Sequence, residues 1–123
     1  MATRVEVPPP FKKDLKRLAR KYPAVLDEVE DLVTRLEADE RPGDKIPNVG
    51  YDVYKVRLKN PAVQRGKSGG FRAIYYVRMA NHVILITIYT ESQQEDIRPE
   101  QIQQVIVDVT QQKATNDEGD NNE

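Results

Sequence analysis

The sequence contains no cysteine and only one histidine, His82. The lack of cysteine excludes disulfides, thiolate metal sites and cysteine nucleophiles, and one histidine leaves little freedom to build a catalytic triad or a histidine metal centre. The longest largely apolar run, Val83–Ile88, is far too short to cross a bilayer, and the N-terminus has no basic segment followed by an apolar stretch. We therefore expect a soluble, cytoplasmic protein with no membrane partner, no metal and no other cofactor.

Glycine, serine and histidine also fail to form familiar catalytic motifs. The Gly66–Gly70 segment is not a P-loop, because Lys67 precedes the glycines and no helix follows to direct its N-terminus at a phosphate. Ser68 lacks the context of a nucleophile elbow. The position of His82 in a predicted hairpin favours a turn role over a catalytic one.

Charge is present in quantity and is divided unevenly along the chain. Residues 1–40 carry 8 basic and 9 acidic side chains, residues 41–78 carry 9 and 2, and residues 79–123 carry 2 and 9. The middle block is therefore +7 between flanks of −1 and −7. Single-sign clustering beside glycines is typical of a surface that meets phosphates, although lysine and arginine also solvate exposed strand faces.

Hydrophobic periodicity predicts the order strand, helix, helix, strand, strand, strand, helix. The predicted helices cover residues 9–21, a second stretch from Pro23 to about Leu36, and a third that opens at Pro99; the predicted strands cover residues 4–7, 51–58, 71–78 and 83–89. The last strand is apolar on both faces, as an interior strand would be.

This order indicates an α+β fold. An N-terminal strand is followed by a two-helix hairpin, a three-stranded antiparallel meander and a C-terminal helix, and we expect the meander to pack one face on the helices and leave the other in water. Residues 1–112 form a single predicted domain. Residues 113–123 hold no apolar cluster and predict an acidic, disordered tail.

A basic and aromatic cluster lies on the central strands and the loop between them. Period two puts Lys55 and Arg57 on one face of their strand, and Arg72 and Tyr76 on one face of the next. Such a set can grip RNA phosphates, stack a base on tyrosine and neutralise charge on a phosphorane. The predicted site residues are Lys55, Arg57, Lys67 and Arg72 for catalysis, and Lys59, Arg65 and Tyr76 for RNA binding. Tyr54, Tyr75 and Tyr89 are expected to pack.

Three segments resemble the RelE/ParE superfamily of toxins from bacterial toxin–antitoxin modules, and especially its HigB-like branch. They are Val53–Leu58, the stretch GKSGGFRAIYYV that begins at Gly66, and Leu85–Ser92 with the Glu95-Asp96-Ile97 that follows. The similarity covers roughly residues 4 to 110. Its most specific part is the glycine-rich turn followed by arginine and the tyrosine strand.

The resemblance implies a RelE-like fold and a type II toxin that enters the ribosomal A site, cleaves mRNA by metal-independent 2′-hydroxyl attack and is neutralised by a cognate antitoxin. In that family picture Lys55 or Lys67 assists proton transfer, while Arg57 and Arg72 stabilise the transition state. One position departs from the family, because Glu91 stands where lysine or arginine is usual. Glu91 then either acts as an acid/base group or weakens the nuclease.

Two other possibilities stay open at this point, one for the function and one for its inhibition by the tail. The chain could be a gyrase-inhibiting or non-catalytic relative that acts by binding. The acidic tail could also fold back over the basic face, since the two segments carry −7 and +7.

Overall fold

The computed structural model describes residues 3–60, 70–90 and 97–121, with side chains described as far as residue 111. Eight helices and strands lie within these ranges: β1 (Arg4–Glu6), α1 (Pro9–Lys21), α2 (Val25–Glu37), β2 (Asp44–Lys45), β3 (Val53–Leu58), β4 (Phe71–Met79), β5 (His82–Thr90) and α3 (Pro99–Asn121). The predicted α+β class and element order are confirmed, with one strand more than the sequence suggests.

The strands form one sheet in the order β1-β5-β4-β3-β2. β3, β4 and β5 are the predicted antiparallel meander, and β1 adds to β5 as a parallel edge strand. The extra strand β2 pairs Asp44 with Lys55 and Lys45 with Tyr54. Two residues are too few to show a period-two pattern, and the neighbouring Pro42 and Gly43 indicate a loop, so the sequence did not predict this strand.

The helices α1 and α2 cover one face of the sheet. Prolines occupy the first positions of α1, where a missing N–H costs nothing, and Asp27 and Glu28 lie in the first turn of α2, where they complement the helix dipole. Phe11 and Leu18 of α1 are buried in this first core. Its other buried members are Val25, Val29, Leu32, Leu36, Val56, Leu58, Phe71, Ala73, Tyr75, Val83, Leu85 and Ile88.

The opposite face carries a second core under α3, so the expectation that it stays in water is wrong. This second core consists of Val49, Val53, Ile74, Ile84, Ile86, Tyr89, Ile102, Ile106 and Val109. Gln103 also donates from Nε2 to the backbone oxygen of Val49 at 2.6 Å, which ties α3 to the segment before β3. The apolar stripe of α3 therefore covers apolar positions that share a sheet face with the cations of β3 and β4.

The backbone of α3 continues to Asn121, whereas the sequence predicts a disordered tail from residue 113. Gln, Lys and Ala, which follow Gln111, have good intrinsic helix propensity, so a helix can extend there without an apolar face. The domain boundary at residue 112 stays a prediction. Within the described ranges, none of the helices combines the length and apolarity needed to span a membrane.

Candidate nucleic-acid interface

Two arginines face each other across the central strand pair. Arg57 of β3 lies in register with Arg72 of β4, and Lys55 lies in register with Ile74. Directly opposite residues of antiparallel strands point to the same face, with Cβ atoms about 5 Å apart. Arg57 is exposed and the other two cations are half-buried. The structure therefore brings together three of the four predicted catalytic residues, and the two guanidinium groups can present several N–H donors to a single phosphate.

Gly70 lies in close contact with the backbone of Leu58 and the side chain of Arg57. A Cβ atom built on Gly70 would lie 2.8 Å from the backbone oxygen of Leu58 and 3.6 Å from Cγ of Arg57. A real side chain would force the backbone to shift at that point. This glycine therefore permits the close approach that sets β4 beside the end of β3, where the two arginines meet.

Tyr76 lies at the other end of the same face. It is in register with Val53, four residues along the strand from Arg72, which corresponds to about 13 Å. The fully buried Ile74 lies between them. The Tyr76 ring packs edge-on against Tyr51, with centroids 5.4 Å apart and planes at 75°. A role of Tyr76 in stacking a base stays a prediction.

Tyr51 is an aromatic residue that the sequence did not single out. It is 38% exposed and extends the Tyr76 ring towards solvent. The sequence placed Tyr51 at the start of the predicted strand 51–58, on the same period-two face as Lys55 and Arg57, whereas β3 begins at Val53. The two rings together make a larger aromatic surface than Tyr76 alone.

The remaining predicted residues follow β3 in the sequence. Lys59 is exposed, and its backbone N–H donates to Oε1 of Glu28 at 3.1 Å, so this hydrogen bond joins α2 to the chain just after β3. Arg65 and Lys67 lie outside the described residues, as does Glu91. Their predicted roles stay predictions.

The other strand tyrosines pack, as expected. Tyr54 and Tyr75 stack with centroids 5.3 Å apart and planes at 7°, and Tyr89 is buried. The hydroxyl of Tyr75 donates to the backbone oxygen of Pro42. Burial, with a smaller contribution from Tyr54, raises the pKa of Tyr75 above its ordinary value.

His82 begins β5 directly after the turn at Ala80 and Asn81, so the predicted hairpin is confirmed. It is buried, and its Nε2 lies 3.0 Å from Oε1 of Glu6 and 3.2 Å from Nη2 of Arg4. Both partners belong to β1, so the histidine joins the two strands. In the part of the chain that the structure describes, no group of three or more His, Asp or Glu side chains is placed to hold a metal ion.

Comparison with known proteins gives a consistent assignment. The family model described as the RelE toxin of the RelE/RelB toxin–antitoxin system matches residues 11–119. An arginine double mutant of the Escherichia coli toxin RelE in its free state shares the fold, with a TM-score of 0.52, 18% identity, and coverage of 91% of this chain and 98% of that chain. Curated protein sequences give no significant match. Because the family match spans most of the sequence, the chain belongs to the RelE toxin family.

Proposed function

We propose that this chain is the toxin of a type II toxin–antitoxin module and acts as a ribosome-dependent endoribonuclease. The observation that supports this most is the register of Arg57 with Arg72, which puts two guanidinium groups on one face of the sheet in a chain of the RelE family. In the proposed function the substrate is mRNA in the ribosomal A site, the setting is the cytoplasm, and the partner that neutralises the chain is a cognate antitoxin. Membership of the HigB-like branch is part of the same proposal.

The chemistry requires little from the protein beyond positioning and charge. The 2′-hydroxyl oxygen of a nucleotide attacks the adjacent phosphorus and gives its proton to a base. The bond from phosphorus to the 5′ oxygen of the next nucleotide breaks and that oxygen takes up a proton, which gives a 2′,3′-cyclic phosphate and a 5′-hydroxyl. The nucleophile belongs to the RNA, and we propose that no metal takes part. Arg57 and Arg72 stabilise the charge on the phosphorane, because the hydrogen bonds from their charged N–H groups become stronger as that charge develops.

The remaining residues have supporting roles in the proposal. Lys55, which lies two residues before Arg57 on the same face, or Lys67 assists proton transfer, and Lys59 and Arg65 hold neighbouring phosphates. Tyr76 stacks a base; at about 13 Å from the arginines it would contact a nucleotide other than the one that is cut. The Tyr51 ring beside it would widen that stacking surface.

Induced expression followed by mapping of mRNA 5′ ends tests the proposal. We expect growth arrest with new 5′ ends inside translated messages for the wild type and for Arg35→Ala, and neither effect for Arg57→Ala/Arg72→Ala. Arg35 is a control because it is exposed on α2 and, among the described residues, its ion pair lies at the surface, with Oε1 of Glu40 at 3.1 Å. Growth arrest without new 5′ ends would reject the nuclease, and inhibited supercoiling by purified gyrase would then favour a toxin that acts by binding.

Two further variants refine the proposal. Co-expression with the small open reading frame next to the gene should restore growth, as expected for a cognate antitoxin. Glu91→Gln separates the two roles open to that residue: cleavage falls if the carboxylate transfers protons, and rises if it only repels the charged transition state.

A further inference from the structure

The exposed side of α1 forms a second basic surface, which the proposed catalytic residues do not include. A groove of about 200 Å³ lies there, and its described lining residues are Lys13, Lys16, Arg17 and Arg20. All four side chains are exposed, and their spacing of three, one and three residues places them on one face of the helix. We call these four residues the α1 basic groove.

Most of the charge in this groove is uncompensated by the described part of the chain. Nη2 of Arg17 lies 2.7 Å from Oδ1 of Asp14, and among the described residues Lys13, Lys16 and Arg20 form no ion pair. Asp14 is also held from the other side, since Oγ1 of Thr87 donates to its Oδ2 at 3.2 Å. The acid is thus used within the fold, and three cations remain to attract an external anion.

The α1 basic groove and the arginine pair lie on different sides of the molecule. Phe11 and Leu18 pack α1 into the first core, whereas Arg57 and Arg72 lie on the sheet face that carries the second core. A helix is about 10 Å across, so a single phosphate cannot reach both surfaces. The groove therefore needs a ligand, or a part of a ligand, of its own.

We propose that the α1 basic groove binds the phosphate backbone of double-helical RNA. This rests on the proposed function, in which the chain acts on RNA. From Lys13 to Arg20 the helix rises about 10 Å, and double-helical DNA presents a phosphate on each strand roughly every 3.4 Å along its axis. On this scale the groove spans about three phosphates of one strand of a duplex. The helix also holds the cations at fixed spacing, which suits a regular backbone better than a flexible single strand.

An acidic protein is a less suitable ligand for this groove. Stable protein interfaces have a desolvated centre rich in aromatic and apolar side chains. The described lining of the groove consists of Lys and Arg, whose aliphatic stems supply apolar surface, and it includes no aromatic side chain. Lysine and arginine are the usual contacts to phosphates, which fix position without reading sequence.

Salt titration of binding to a short RNA duplex tests the proposal with the full chain. The groove variant is Lys13→Gln/Lys16→Gln/Arg20→Gln, and the control Lys12→Gln/Lys21→Gln/Arg78→Gln removes the same charge from exposed sites outside the groove. Each lost phosphate contact should lower the slope of log affinity against log salt by about 0.9. We expect the slope of the groove variant to be smaller than that of the wild type by about 2.7. When salt is raised from about 50 to 200 mM, the affinity of the wild type should then fall roughly 40-fold more than the affinity of the groove variant. The control should keep the wild-type slope.

Three results would overturn the proposal: a wild-type slope in the groove variant, equal losses in both variants, or an equal loss of slope with single-stranded RNA. If polyglutamate competed for binding to the wild type but not to the groove variant, and both bound the duplex equally, the groove would instead be assigned to an acidic protein. Circular dichroism checks that the variants fold. The titration does not involve cleavage, so its outcome is independent of the nuclease test. If the groove variant keeps the wild-type slope while the wild type cleaves mRNA, only this inference is overturned. If the groove binds the duplex but the wild type does not cleave mRNA, only the nuclease is overturned.

Discussion

The second core predicts that Ile106→Ala will weaken the attachment of α3 to the sheet. Ile106 is 2% exposed and belongs to the cluster that contains Ile74 and Ile84. The substitution removes about three carbon groups at about 0.8 kcal/mol each, or about 2.4 kcal/mol of transfer free energy. An unfilled cavity adds to this, so we expect a loss of about 2–4 kcal/mol in the free energy of unfolding.

Gln104→Ala is the matched control on the same helix. Gln104 is exposed, and its Nε2 donates to Oδ1 of Asp108 at 2.9 Å, a contact one helical turn away that is worth about 0.2–0.5 kcal/mol. Denaturant unfolding measures both variants, and hydrogen exchange shows whether α3 opens separately from the sheet. Equal stability of the two variants would refute a packed second core. So would a rate of hydrogen exchange in α3 that is the same in Ile106→Ala and the wild type.

Two further predictions concern Tyr75 and Gly70. Tyr75→Phe leaves the Pro42 oxygen without its donor and should cost about 1–3 kcal/mol near neutral pH by denaturant unfolding. Burial raises the pKa of Tyr75 above its ordinary 10.0, so the folded chain keeps this proton at a pH where the unfolded chain releases it. The stability of the wild type should therefore fall as pH rises above about 10, and Tyr75→Phe should lose that part of the pH dependence. Identical dependence of stability on alkaline pH in the two proteins would contradict this. Gly70→Ala should reduce both stability and mRNA cleavage, because its Cβ meets the Leu58 backbone beside Arg57, and unchanged cleavage would show that this close approach does not position the arginine.

The sequence was sufficient for the elements whose periodic signal is long. Residues 9–21 were predicted as a helix and α1 has those bounds, and the strand predicted from residue 83 to 89 is β5 with one residue added at each end. The apolar character of β5 on both faces also agreed with its place between β1 and β4. Local propensity and periodicity, which do not depend on distant contacts, determine these features.

The arrangement of distant segments was harder to predict. Lys55 and Arg57 made their strand face look solvated, although Val53 and Ile74 on the same face are buried with α3. The register shift between Ile74 and Tyr75 also cannot be read from a period-two pattern. The sequence therefore found the cations of the candidate site, but the position of Tyr76 depends on the register and on the packing of α3.

The most direct test of the account is the rate at which the purified chain cleaves mRNA on programmed ribosomes, compared between the wild type, Arg72→Ala and Arg35→Ala. Removing a group that stabilises developing charge typically lowers the rate about 10²- to 10³-fold. We expect that loss for Arg72→Ala and a rate close to that of the wild type for Arg35→Ala. Equal cleavage by Arg72→Ala and the wild type, or no cleavage by the wild type, would contradict an arginine pair that acts on the scissile phosphate.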